Sequence, residues 1–199
     1  MSLTCSHFVA DYYTQCAETI SDDARAMGWS SGFNQRLRFE IINYLVDLDA
    51  KDVLDVGCGD GGLFHFCLDR NISINYKGID LSKGMVQRAQ NRYPGISVRE
   101  CDFFDYQSHH DVVVASGALS ICQNTDPMVF LDLALDKLLN IANEHVLINL
   151  LSDQTVIKDD LFNYYSPGDV FNLCLKKTAY ITLHHSYLPN DFTLHLVKI

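Results

Sequence analysis

From Asp55 to Gly62 the chain reads Asp-Val-Gly-Cys-Gly-Asp-Gly-Gly, an acidic side chain followed by glycines at the alternate positions Gly57, Gly59 and Gly61. A carboxylate accepts hydrogen bonds and attracts cations. Glycines, lacking a Cβ, let the main chain turn sharply and let a ligand come up against it. Together they describe a binding corner in which backbone amides are expected to stand free beside a carboxylate. Asp80, Asp102 and Ser116 follow downstream, each closing a strand-like run.

The glycines satisfy two patterns. Gly57, Gly59 and Gly62 fit the dinucleotide pattern G-x-G-x-x-G, while Asp55, Gly57, Gly59 and Gly61 fit D-x-G-x-G-x-G. Charge separates the two. A pyrophosphate wants a helix N-terminus free of nearby anions, whereas this loop holds Asp55 and Asp60 and no Lys or Arg. S-adenosylmethionine carries a sulfonium and an ammonium and no phosphate, so a carboxylate beside the turn suits it better. Asp80, about 20 residues past the glycines, stands where adenosine-binding folds hold the ribose hydroxyls. Asp80 and Ser82 also read as the cap of the next helix.

The run Asp55-Val-Gly57-Cys58-Gly59-Asp-Gly61 resembles the first motif of the class I S-adenosylmethionine-dependent methyltransferases, and the resemblance extends from about residue 53 to the end of the chain. It implies a cofactor site built on Asp55, Gly57, Cys58, Gly59 and Gly61. Asp80 would hold the ribose, Leu81 and Met85 would line the adenine, Asp102 would accept from the adenine amino group and Phe103 would lie against the ring. It further implies that the segment before the first strand closes over cofactor and acceptor, which draws in Tyr12, Tyr13 and Trp29; Trp29 equally reads as a packing anchor. Family members acting on exocyclic or side-chain amides often carry Asn/Asp-Pro-Pro-aromatic after the fourth strand. Here Ser116-Gly-Ala-Leu119 stands instead, which weighs against nucleobase amines and glutamine as acceptors.

The elements that must position these residues follow from periodicity. Val53, Leu54 and Val56 form a short buried strand. Ile72 to Ile79, Ile96 to Cys101, Val112 to Ala115 and His145 to Leu151 read as further strands. Helices are expected over residues 63–70 and 83–93, from Asp126-Pro127, and from Ser166-Pro167 to about Lys176. The alternating tail, Ala179 to Ser186 and Phe192 to Lys198, reads as a β-hairpin. Such a hairpin matches the reversed last strand of the resembled family. Residues 5–26 are loosely helical, with Phe8, Tyr12, Cys16 and Ile20 on one face; the loop from Met27 to Gly32 follows. Residues 33–48 make a better helix, with Phe33, Leu37, Ile41, Tyr44 or Leu45, and Leu48 on its buried face.

The expected fold is therefore α/β, a Rossmann-like three-layer sandwich. Its seven-stranded, mostly parallel sheet would carry an antiparallel C-terminal strand and an N-terminal helical cap. One domain is expected over residues 1–199, with a cap or lid at 1–32 and the core at 33–199. In such a sheet ligands lie outside the carboxyl ends of the strands, near the switch in strand order, so Ser116 to Ser120 should face the sulfonium methyl. Arg38, set among apolar neighbours, needs an anion. Glu40, Asp47 and the methionine carboxylate of the cofactor are the candidates.

No residue stands out as catalytic. In-line methyl transfer depends mainly on alignment and needs a base only where the acceptor must lose a proton. His184, His185, Tyr187 and Tyr12 are the candidates; His184 and His185 point to opposite faces of a strand and cannot share a metal. The seven scattered cysteines, never spaced C-x-x-C, indicate neither a disulfide frame nor a zinc site. A chain of 199 residues, 48% hydrophobic and 20% charged, suits one well-cored domain. The net charge of −10 argues against unaided nucleic-acid binding. No export signal or membrane-spanning run is visible, which points to the cytoplasm.

The expectation is a methyltransferase using S-adenosylmethionine on a small-molecule acceptor, without nucleic-acid or membrane partners and with its oligomeric state open. Two alternatives stand beside it. One is an NAD-dependent oxidoreductase, resting on the other glycine register and Asp80. The other is a methyltransferase-like protein that binds or scaffolds without turnover.

Overall fold

Val53, Leu54, Val56 and the run Val112 to Ala115 are buried whichever way their side chains point, as continuous apolar runs require of central parallel strands covered on both faces. The computed structural model describes residues 5–20, 32–121 and 125–198. Seven strands form one sheet: β1 (Asp52–Val56), β2 (Asn75–Asp80), β3 (Val98–Glu100), β4 (His110–Ser116), β5 (Ala142–Leu151), β6 (Tyr180–Leu188) and β7 (Asp191–Val197). Their order is β3-β2-β1-β4-β5-β7-β6. The pairs from β3 through β5 are parallel, and β7 runs antiparallel to both β5 and β6. The expected reversed strand is thus β7. The strand order reverses between β1 and β4, which opens a crevice at their carboxyl ends.

Six helices are described: α1 (Cys5–Thr19), α2 (Gly32–Leu45), α3 (Gly62–Asp69), α4 (Lys83–Arg92), α5 (Pro127–Ile141) and α6 (Pro167–Cys174). Phe39 and Ile42 of α2, with Leu63 and Phe66 of α3, cover Val53, Val112, Val114 and Leu147 on one face of the sheet. Val86 and Ala89 of α4 extend that layer over Tyr76 and Val98. On the other face Phe130, Leu131, Leu135 and Leu138 of α5, with Val170 and Cys174 of α6, pack on Leu54, Val113, Ile148 and Leu194. Three layers result. Among the described residues no helix is long and apolar enough to cross a membrane.

The helix starts are where the sequence places them. Ser82 accepts from the Met85 N–H, Asp126 from those of Met128 and Val129, and Ser166 from that of Asp169, each satisfying first-turn donors. Several expected bounds shift. The second strand begins at Asn75 rather than Ile72, because the Ile72 N–H still closes the exit of α3 on the Cys67 carbonyl. The third strand is confined to Val98–Glu100, and the fifth begins earlier, at Ala142.

The buried face of α2 is a correction. Phe33 and Tyr44 are 70% and 77% exposed, while Arg38, Phe39 and Ile42 face the core. The predicted stripe was drawn through the aromatics at the helix ends and so lay one residue out of phase with the packed one. Of the helix expected over residues 5–26, the stretch 5–19 is α1; residues 21–26, the loop holding Trp29 and part of the loop at 116–125 lie outside the described residues.

Candidate functional site

The glycine turn sits at the switch point, but its amides are not free. The N–H groups of Gly57 and Cys58 both donate to the Ile79 carbonyl, at 2.8 and 3.1 Å, and that of Gly61 donates to the Cys58 carbonyl at 3.0 Å. The Gly59 N–H donates to Asp80 Oδ2 at 2.9 Å. The pairing of β1 with β2 continues past Val56 into the turn and consumes the donors expected to face a ligand. A pyrophosphate would find no cradle of N–H groups at these four positions, which adds to the charge argument against the dinucleotide register.

The charge argument itself needs amending. Asp60 is buried and forms an ion pair with Arg92 of α4, so its charge is met inside the protein and it is absent from the cavity wall. Asp55 and Asp80 remain. Gly57 has φ +71°, and a Cβ there would stand 2.5 Å from the Ala118 Cβ; a glycine is required because the loop after β4 packs against the turn. Gly61, at φ +85°, precedes α3 and does not line the cavity.

The crevice is a cavity of about 660 Å³, within the range of small-molecule sites. Of the residues expected to hold cofactor, Asp55, Gly57, Cys58, Gly59, Asp80 and Leu81 line it, as do Met85, Asp102, Phe103, Ser116 and Arg38. Asp80 Oδ1 accepts from the Ser82 N–H at 2.8 Å. Burial pushes the Asp80 carboxyl up, and the Ser82 and Gly59 amides pull it back. Asp55 is buried beneath the turn, its Oδ2 accepting from Tyr76 Oη at 2.9 Å. Burial raises its pKa to about 7, against the Tyr76 hydrogen bond, and the charges of Asp80 and Asp60 add to the rise.

Ser116 Oγ, at the carboxyl end of β4, is buried and has no hydrogen-bond partner among the described residues. A hydroxyl left so in a cavity wall fits a polar ligand. Asp102 caps the short turn Phe103–Asp105, its Oδ1 accepting from the Phe104 N–H at 3.0 Å, which sets Phe103 in the wall beside it.

Arg38 reaches the cavity from α2, and its partner is neither Glu40 nor Asp47. Its Nη2 bonds Asp191 Oδ1 on β7, both side chains being almost wholly buried. Glu40 pairs with Arg36 and Arg70 instead.

The candidates for proton transfer lie elsewhere. His184 packs its ring against Tyr44 and Tyr187, at 6.2 and 5.9 Å between centroids. His185 meets the Phe192 ring at 5.9 Å. Tyr187 Oη sits 3.2 Å from Asn149 Nδ2 and 2.8 Å from Thr193 Oγ1, and burial pushes its pKa up to about 12. Tyr12 packs between Phe8 and Tyr13. None of these four lines the cavity, and no histidine does.

Sequence reasoning missed other parts of the wall. Val9 of α1 and Asn34 and Gln35 of α2 line the cavity, as do Phe130, Ile157, Phe162 and Tyr164. A signal for the latter existed: Phe162, Tyr164 and Tyr165 cluster in a stretch without helical or strand period, just before the Ser166 cap.

Comparison with known proteins gives a consistent set. A family profile described as "Methyltransferase domain" matches residues 53–146. Rv1506c of Mycobacterium tuberculosis, which carries a methyltransferase name, is 30% identical over 160 residues, covering 75% of this chain and 95% of that protein. Among solved structures, magnesium protoporphyrin IX methyltransferase of Synechocystis with bound S-adenosylhomocysteine superposes with TM-score 0.73 at 16% identity, covering 97% of this chain and 99% of that one. The DhpI complex with S-adenosylhomocysteine superposes with TM-score 0.72 at 14% identity, covering 98% and 97%.

Proposed function

Because the chain belongs to the S-adenosylmethionine-dependent methyltransferases, we propose that Asp80, Asp102, Phe103, Ser116 and Arg38 hold that cofactor in the cavity and that the methyl acceptor is a small molecule. The observation that carries the assignment is the state of the glycine turn: the amides of Gly57, Cys58, Gly59 and Gly61 are spent on Ile79, Asp80 and Cys58, while Asp55, Asp80 and the unpartnered Ser116 hydroxyl line the cavity. Such a wall suits a cationic nucleoside and does not suit a pyrophosphate.

Each Asp80 oxygen accepts one backbone N–H and retains a further lone pair, so the carboxylate can take the two ribose hydroxyl protons while still fixing the turn. Leu81, Met85 and Phe103 would exclude water from the adenine. Arg38, anchored on Asp191, is assigned to the methionine carboxylate, and Ser116 to the region of the sulfonium. When bound, the cofactor supplies an electrophilic methyl group. The chain's part is to align the acceptor with it.

We read residues 1–32 as a cap on one domain, supported by the way α1 lies on α4: Thr14 Oγ1 is 2.9 Å from Ser82 Oγ, and Val9 and Tyr13 contribute to the cavity wall. A reducing compartment, the cytoplasm, is supported by Cys16, Cys58, Cys67, Cys101 and Cys174, all free thiols. A small acceptor is supported by a cavity of about 660 Å³ and by a net charge of −10, which disfavours nucleic acid.

Calorimetric titration with S-adenosylmethionine, S-adenosylhomocysteine and NADH tests the reading. The first two should bind and NADH should not. Binding of NADH alone would reinstate the oxidoreductase, and binding of none would favour a scaffold.

A further inference from the structure

Besides the residues assigned to the cofactor, the cavity is lined by Ile121, Phe130 and Leu151 and by Ile157, Phe162 and Tyr164 of the β5–α6 loop, an aliphatic and aromatic chamber. The Ser116 hydroxyl, at the carboxyl end of β4, also lines the cavity and has no hydrogen-bond partner among the described residues. The chamber's charges stand at the exposed rim, on Lys158, Asp159 and Asp160. Asp159 Oδ1 is held by the Leu161 N–H at 2.9 Å. Lys158 Nζ lies 5.5 Å from the centroid of the Tyr164 ring, and among the described residues no carboxylate oxygen is within 4.0 Å of it.

We infer that the acceptor is a carboxylate with an apolar, planar body, drawn past Lys158 into the aromatic chamber with its charged end towards Ser116. This rests on the methyl-transfer reading above. Aromatic and aliphatic walls take a flat apolar body. In a chain of net charge −10 an organic anion needs a local cation at the mouth, and an ammonium on a flexible four-carbon stem can follow it inward.

A carboxylate is ionised at neutral pH and asks no side chain to take a proton, whereas an alkylamine arrives protonated and a phenol must lose its proton. Transfer to a carboxylate oxygen forms one O–C bond and breaks one S–C bond, with the electron pair left on sulfur, and no proton moves.

The test uses three probes of one shape: naphthalene carboxylate, its carboxamide and naphthylmethylammonium. Each is titrated calorimetrically into the full chain, ligand-free and in the presence of S-adenosylhomocysteine. Binding of S-adenosylhomocysteine is measured first and separately, so failure of the cofactor reading appears there and failure of the acceptor class appears in the probe series. The carboxylate should bind tightest in both series. Lys158→Gln, at an exposed position that leaves the core untouched, should weaken it about tenfold to the level of the carboxamide, and Lys158→Arg should restore it. Tighter binding of the ammonium would mean that Asp159 and Asp160 govern the rim and would overturn the proposal. So would a preference for the carboxylate that survives Lys158→Gln, or binding of none of the three.

Discussion

The carboxylate of Asp80 reaches from the end of β2 to the Gly59 N–H at 2.9 Å with one oxygen and to the Ser82 N–H at 2.8 Å with the other. One side chain thus ties the glycine turn to the start of α4 and leaves lone pairs for a ligand.

Replacing Asp80 by alanine removes both functions. The two amides lose their acceptor and the ribose hydroxyls lose theirs, so affinity for S-adenosylhomocysteine should fall by about 1–3 kcal/mol, measured by calorimetry. Asp80→Asn, which keeps one carbonyl oxygen, should fall in between. An alanine variant of unchanged affinity would remove the ribose assignment.

A second pair makes a prediction about stability. Arg38 and Asp191 are 3% and 0% exposed and bond across α2 and β7. Arg38→Met takes the guanidinium away from the buried Asp191 carboxylate, at a cost of about 3–5 kcal/mol. Burial already pushes the Asp191 carboxyl up, against the Arg38 guanidinium, so in the variant it rises further and can take a proton as pH falls. The loss should therefore shrink towards acid pH in urea unfolding. A loss of the same size at every pH would mean that Asp191 is not what Arg38 stabilises.

That pair also marks where the sequence stopped being legible. The βαβ order, the helix caps and the corner itself are local patterns and could be read from the chain. Arg38 could be recognised as needing an anion, but its partner lies on β7 and only the sheet order brings the two together. The amides of Gly57 and Cys58 were misjudged for the same reason, since their acceptor, Ile79, is supplied by the neighbouring strand. His184, His185 and Tyr187 were expected near the site because strand six ends on its side. They end there, but β6 is an edge strand, with β7, β5 and β4 between it and β1. The part of the wall from Ile157 to Tyr164 has no period for sequence reasoning to use.

Asp55 predicts a pH dependence. In the unfolded chain its carboxyl titrates near about 4, and in the fold burial first of all raises it to about 7. Between those values the folded state keeps a proton that the unfolded chain has released. The contribution to stability is therefore complete below about pH 4 and is lost as pH rises through about 7. Asp55→Asn cannot ionise and escapes the loss. Relative to the parent it should gain up to about 4 kcal/mol between about pH 4 and pH 8, read from urea unfolding across that range. A constant difference would place the Asp55 titration outside this window.

Gly84 sets the seat of α1. A Cβ there would stand 3.1 Å from Thr14 Cα and 3.2 Å from both the Thr14 carbonyl oxygen and the Ala17 Cβ. The obstacles are helix backbone and a Cβ fixed to it, so the helix as a whole must shift. Against the shift stand the Thr14–Ser82 hydroxyl contact and Arg88 Nη1, which donates to the carbonyls of Ala17 and Ile20 at 3.3 and 2.8 Å. Gly84→Ala should weaken the docking of α1 by about 1–3 kcal/mol through overpacking, while the gain in helix propensity, about 1 kcal/mol, goes to α4. The two effects separate by location. Amide exchange should quicken in α1 and stay unchanged in β1 and β4, and affinity for S-adenosylhomocysteine should drop as Val9 and Tyr13 leave the cavity wall. Arg88→Ala loosens the C-terminal end of α1 while leaving Gly84 in place, so it should quicken the same amides. Loss of affinity in both variants would identify docking of α1 as what retains the cofactor, and loss in Gly84→Ala alone would locate the effect in α4.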